Sequence, residues 1–154
     1  MSAPVPATGL PELPVTFRPT GTRVVLLTIG TVLLVVLTAL SLLLESFTTG
    51  DRISFISTGL LGLGVLALLS RPKVVAAPDG VTVVNLTTKR RLAWAQIVRV
   101  NLRAGDAWVY LDLSDGTTLA AMGIQTGIAK QRAIADARAL RALVDAHGTG
   151  RSAT

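Results

Sequence analysis

The sequence predicts a two-helix membrane hairpin followed by a small α+β domain. Three observations predict it: two long uncharged apolar runs in the first half, short alternating segments after Pro72, and one amphipathic helix near the end. Val24–Leu44 holds 21 residues without a charge. At about 1.5 Å rise per residue, such a run crosses a hydrocarbon core of about 30 Å. Ile53–Leu69 is a second run of 17 residues, which Ser70 extends. The eight residues between them, Glu45–Arg52, include Gly50 and the charges of Glu45, Asp51 and Arg52. That connection lets the chain reverse, so the helices (24–44 and 53–70) run antiparallel.

A cleaved leader is the rival reading of the first run. The run starts only after 23 residues, and it is longer than the ~7–15-residue apolar core of a signal peptide. Leu42-Leu43-Leu44-Glu45 also lacks the small residues of a cleavage site. A retained helix is therefore expected. Residues 1–22 carry Pro4, Pro6, Pro11, Pro14 and Pro19, which deny a helix its hydrogen-bond ladder, and they read as a disordered, extended tail.

Charge divides the chain in the same way. Residues 1–70 hold three basic and three acidic side chains, whereas 71–154 hold twelve and six, so the whole net charge of +6 lies in the second half. Arg18 and Arg23 precede the first helix, Arg71 and Lys73 follow the second, and the connecting loop offers only Arg52. The bias of Lys and Arg toward the cytoplasmic side then places both termini inside, in a two-pass protein of the plasma membrane. There is no cysteine, hence no disulfide framework and no thiolate chemistry.

After Arg71-Pro72 the period changes. Lys73–Ala77 is short and β-branched, Asp79-Gly80 is a hairpin turn dipeptide, and Val81–Leu86 follows as a strand. Thr87–Arg91 reads as a polar, basic turn. Ile97–Arg103 alternates, with Val98, Val100 and Leu102 on one face and Arg99, Asn101 and Arg103 on the other. Trp108–Leu113 and Thr118–Met122 are strands joined by the tight turn Ser114–Thr117. Six or seven short antiparallel strands at this spacing suggest a bent barrel or sandwich. Gly127–His147 then reads as a helix with Ile134, Ala137, Leu140 and Val144 as its apolar stripe and Thr126 as its N-cap. Residues 71–148 thus form the domain, and 149–154 a flexible tail.

The stretch from Arg71-Pro72 through Asp79-Gly80-Val81-Thr82-Val83, Lys89-Arg90-Arg91, Leu92-Ala93-Trp94-Ala95-Gln96-Ile97 and the last helix resembles small bacterial pleckstrin-homology-like (PH-like) domains. Preceded by two membrane helices, it is similar to the actinobacterial low molecular weight protein antigen 6 family over about residues 18–147. Its most specific piece is the basic turn followed by a tryptophan and an isoleucine, Lys89 to Ile97. The resemblance implies a seven-stranded, two-sheet bent barrel capped by a helix, with no known enzymatic activity and no catalytic residues to carry over.

Lys89, Arg90 and Arg91 form the one local cluster of three like charges and, with Lys73, are the candidate residues for anionic lipid or a partner protein. The plain alternative is a solvated hairpin tip. Gly59 and Gly62 are the candidate close-packing positions of the second membrane helix. Trp94 and Trp108 read as packing residues, and His147, the single histidine, as a helix-terminal cation. Nothing gathers into a metal site, no cofactor is implied, and Asp112 and Asp115 read as hairpin residues, not as a catalytic pair. Neither membrane run holds an internal ionisable residue, which removes the usual sign of a transport path. The expectation is a non-enzymatic, membrane-anchored interaction module whose partners are the bilayer and an unidentified protein, with self-association open. A structural subunit of a larger envelope assembly is the alternative. Nucleic acid is set aside, because the bilayer already accounts for the charge asymmetry.

Overall fold

The computed structural model describes residues 9–148, which form two compact units, Thr20–Arg71 and a second one built from Pro72 onward together with residues before Thr20. Residues 1–8 and 149–154, expected as parts of the two tails, lie outside the described residues.

The first unit is a pair of antiparallel helices, α1 (Thr20–Leu43) and α2 (Thr49–Leu69). Both are long and apolar enough to cross a membrane. Only 11% and 6% of their most apolar stretches are buried, so neither is the core helix of a water-soluble fold. Their exposed Val, Ile and Leu side chains call for a hydrocarbon solvent. Each helix begins four residues before its apolar run. At α2 the reason is a capping box: the Asp51 N–H donates to Thr48 Oγ1 (3.2 Å) and the Thr48 N–H donates to Asp51 Oδ2 (2.9 Å). The polar Thr49–Arg52 segment is thereby recruited into the first turn. Hydroxyls inside the pair are satisfied locally: Ser41 donates to the Thr38 carbonyl (2.7 Å), Ser54 to Gly50 (3.0 Å) and Thr58 to Ser54 (2.8 Å).

Among the described residues, the second unit has seven strands, one α-helix and a short 3-10 turn at Trp94–Gln96. A first strand, β1 (Val15–Phe17), comes from the segment expected to be a tail. It pairs antiparallel with β2 (Lys73–Ala77), Phe17 opposite Val74, across the whole length of the hairpin in sequence. The correction has a physical cause. Prolines exclude helix but not an edge strand, and Phe17 gains burial in the core. β3 (Gly80–Val84) and β4 (Lys89–Leu92) complete a four-stranded sheet in the order β1-β2-β3-β4. β5 (Ile97–Asn101), β6 (Trp108–Leu113) and β7 (Thr118–Gln125) form a three-stranded sheet, and α3 (Lys130–Gly148) packs on it.

The two sheets pack as a sandwich and do not close into a barrel. Two features join them. Gly123 of β7 lies so close to β2 that a Cβ there would sit 2.5 Å from the Lys73 main chain. The Asn85 side chain reaches across, donating to the Ala120 carbonyl (2.8 Å) and accepting from the Met122 N–H (3.1 Å). The core between the layers is aliphatic, centred on Val74, Val83, Val109, Leu111, Ile124 and Leu140.

Three local expectations change. Val98 is expected on one face with Val100, but a bulge between Ile97 and Arg99 turns it out to 64% exposure. Thr126 does not cap α3. Its hydroxyl donates to the Asp106 carbonyl (2.7 Å), and the helix starts later, at Lys130. Ala133 replaces Ile134 on the buried stripe, beside Ala137, Leu140, Leu143 and Val144. Asp136, beside the stripe, is partly buried, which raises its carboxyl pKa against the pull of Arg132.

Candidate functional site

Lys89, Arg90 and Arg91 are not in a turn. The turn is Asn85–Thr88, closed by the Asn85 N–H donating to the Thr88 carbonyl (2.8 Å), and the three cations lie in edge strand β4. Strand alternation then splits them. Lys89 stands opposite Val84, and Val84 stands opposite Lys73, so the two lysines occupy one row on the outer face of the sheet. They are about 9.5 Å apart, two strand spacings. Arg91 is on the same face, in the row with Thr82, Val75 and Thr16. Arg90 belongs to the opposite alternation, in the row of Val83, Val74 and Phe17.

Arg90 acts elsewhere. Hydrogen bonds from the Thr117 hydroxyl (2.6 Å) and N–H (2.9 Å) hold the Asp115 carboxyl below its usual range, and the nearby Arg90 charge adds to that. Asp112 is engaged as well, accepting from Asn101 (2.6 Å) and Thr118 (3.2 Å). Both carboxylates therefore organise hairpin geometry.

The Lys73–Val84–Lys89 row sits at the sheet end where the chain leaves for the helices. Arg18 and Pro19 alone join β1 to α1, and Ser70, Arg71 and Pro72 alone join α2 to β2. Cations along the β4 edge also discourage a further strand from pairing there.

Gly59 and Gly62 both face α1. A Cβ on Gly59 would lie 2.9 Å from Leu34 Cδ1, and one on Gly62 would lie 3.0 Å from Leu33 Cδ2. Gly30 of α1 makes the reciprocal approach to Leu63, a position that sequence reading passed over although a small residue amid Leu and Val was the available signal. Gly64 has open space beside it.

Trp94 is buried. Its indole N–H donates to the Ala77 carbonyl (3.1 Å), and His147 stacks on the ring at 4.6 Å. The ring contact with α3 uses the histidine as a packing surface. Trp108 differs: its indole nitrogen is buried and meets no acceptor among the described residues. An unmet buried donor costs about 1–3 kcal/mol. Trp108 lines a cavity of about 750 Å³ between the β5–β6 loop and α3, which also carries Arg103, Lys130, Arg138 and Arg141. Sequence reading missed this cavity, since its residues are dispersed from position 100 to 141.

Residues 71–143 match the model of the bacterial PH domain family. This folded domain is a bacterial PH-like domain. The match starts after the hairpin and so omits β1, which the PH-like sheet nevertheless includes. Uncharacterized proteins of Mycobacterium bovis and of two Mycobacterium tuberculosis strains are 31% identical over 98 residues. The alignment covers 64% of this chain and 63% of the length of those relatives. No solved structure matches.

Proposed function

We propose that this chain is a membrane-anchored, non-catalytic interaction module whose PH-like domain lays a basic sheet face on anionic lipid at the cytoplasmic side of the plasma membrane. One observation carries the reading: strand register sets Lys73 and Lys89 in one row, on either side of Val84, at the sheet end joined to both membrane helices. With Arg91 on the same face, three cations near an anionic surface contribute roughly 1 kcal/mol each. Orientation is supported by the pairing of β1 with β2, because strands that flank the hairpin must share one side of the bilayer. The excess of Lys and Arg outside the connecting loop supports the cytoplasm as that side.

The test uses the full chain in nanodiscs of phosphatidylcholine with or without phosphatidylglycerol. Hydrogen exchange of Asn85–Thr88 is expected to slow in the anionic discs, and added salt should reverse the effect by screening. Lys73→Glu with Lys89→Glu should abolish it. Equal exchange in both lipids would overturn the proposal.

A further inference from the structure

We infer that the cavity between the β5–β6 loop and α3 is a second, separate binding site, for a phosphate or carboxylate group carried on an apolar body. Its size falls within the ~300–1,000 Å³ of small-ligand pockets. Its chemistry is two-sided. Val100, Leu102, Ile134 and Ala137 supply apolar wall, whereas Arg103, Lys130, Arg138 and Arg141 supply four cations against one lining carboxylate, Asp106. That carboxylate is occupied, accepting the Arg103 N–H at 2.9 Å.

Trp108 lines the cavity with its ring, while its indole nitrogen is buried from solvent, so the ring reports on a ligand seated there. One further detail favours a compact anion. Arg141 Nη2 donates to the Val100 carbonyl (2.7 Å), which fixes the guanidinium beside the cavity. The same bond caps the outer edge of β5, the edge strand of its sheet, so an added peptide strand would have to displace it. The displacement of Ile134 from the helix's buried stripe also acquires a purpose, since it forms part of the apolar wall.

The chain has two tryptophans, so a full-length ¹⁵N-tryptophan sample in phosphatidylcholine nanodiscs gives two indole signals. Trp108→Phe assigns them, and Trp94, already bonded to Ala77, is the internal control. Phenyl phosphate is expected to move the Trp108 signal and leave that of Trp94. Its half-saturating concentration should be at least tenfold below that of inorganic phosphate or phenol. Arg103→Glu with Arg138→Glu, or Ile134→Phe, which fills part of the cavity, should raise it at least tenfold while the Trp94 signal stays in place. Discs containing phosphatidic acid separate the sources: a Trp108 signal already displaced there assigns the anion to a lipid, and one displaced by phenyl phosphate alone assigns it to a soluble molecule. The inference is overturned if phenyl phosphate binds no tighter than phenol or phosphate. It is equally overturned if both variants keep wild-type affinity, or if an acidic peptide moves the signal where phenyl phosphate does not.

Discussion

Gly123→Ala is expected to lower the unfolding temperature of the PH-like domain by more than about 10 °C. The added methyl would sit 2.5 Å from Lys73 Cα and carbonyl carbon and 2.7 Å from the Val74 nitrogen. These are main-chain atoms of β2, held by pairing to β1 on one side and β3 on the other, so no rotamer change relieves the clash. The sheets must move apart, and that loosens the core on both sides of the contact. Overpacking of this kind costs about 1–3 kcal/mol or more. For a domain of 60–100 residues each kcal/mol shifts the transition by about 4–8 °C. Tryptophan fluorescence during heating reads the result, because Trp94 is part of the core. Gly127→Ala serves as control, since a Cβ there meets nothing within 4 Å. Equal transitions for the two variants would refute the proposed sheet contact.

Gly59→Leu is the counterpart in the membrane. A Cβ at position 59 already lies 3.1 Å from Leu34 Cα, and a leucine would force the helices apart. Lipid tails are as apolar as leucine, so close packing supplies most of what holds such a pair together. The distance distribution between spin labels at positions 24 and 69 is expected to broaden and lengthen. Gly64→Leu, with open space beside it, should leave that distribution unchanged. Gly59 and Gly62 are thus already occupied by the chain's own first helix. A loss of assembly on replacing them would therefore report a broken hairpin before it reported a lost partner.

What could be read from the sequence follows from the range of the interactions. The membrane runs, the Asp79-Gly80 hairpin and the final helix are local patterns, and each was legible at its own position. β1 was not, because Val15–Phe17 is a strand only through a partner some sixty residues away, and five prolines masked its alternation. The start of α2 moved because a cap, not hydropathy, sets it, through the Thr48–Asp51 box. The basic cluster was found by counting, but its geometry was not. Placing Lys89–Arg91 in a strand separates Arg90 from its neighbours and brings Lys73 into one row with Lys89, across Val84. The cavity left no sequence signal, since its cations come from α3 and from a loop some thirty residues before it.

The central claim is that a membrane hairpin is inserted between the first two strands of a PH-like domain, so that β1 and the rest of the domain share one side of the bilayer. The absence of cysteine makes a direct measurement simple. Single cysteines replace the exposed Thr16 in β1, Ser46 in the hairpin turn and Thr117 in the β6–β7 turn, and a membrane-impermeant maleimide is applied to intact cells and to inverted vesicles. Positions 16 and 117 should label only in the inverted vesicles, and position 46 only in intact cells. Labelling of 16 and 117 from opposite sides, or of all three from one side, would contradict the account.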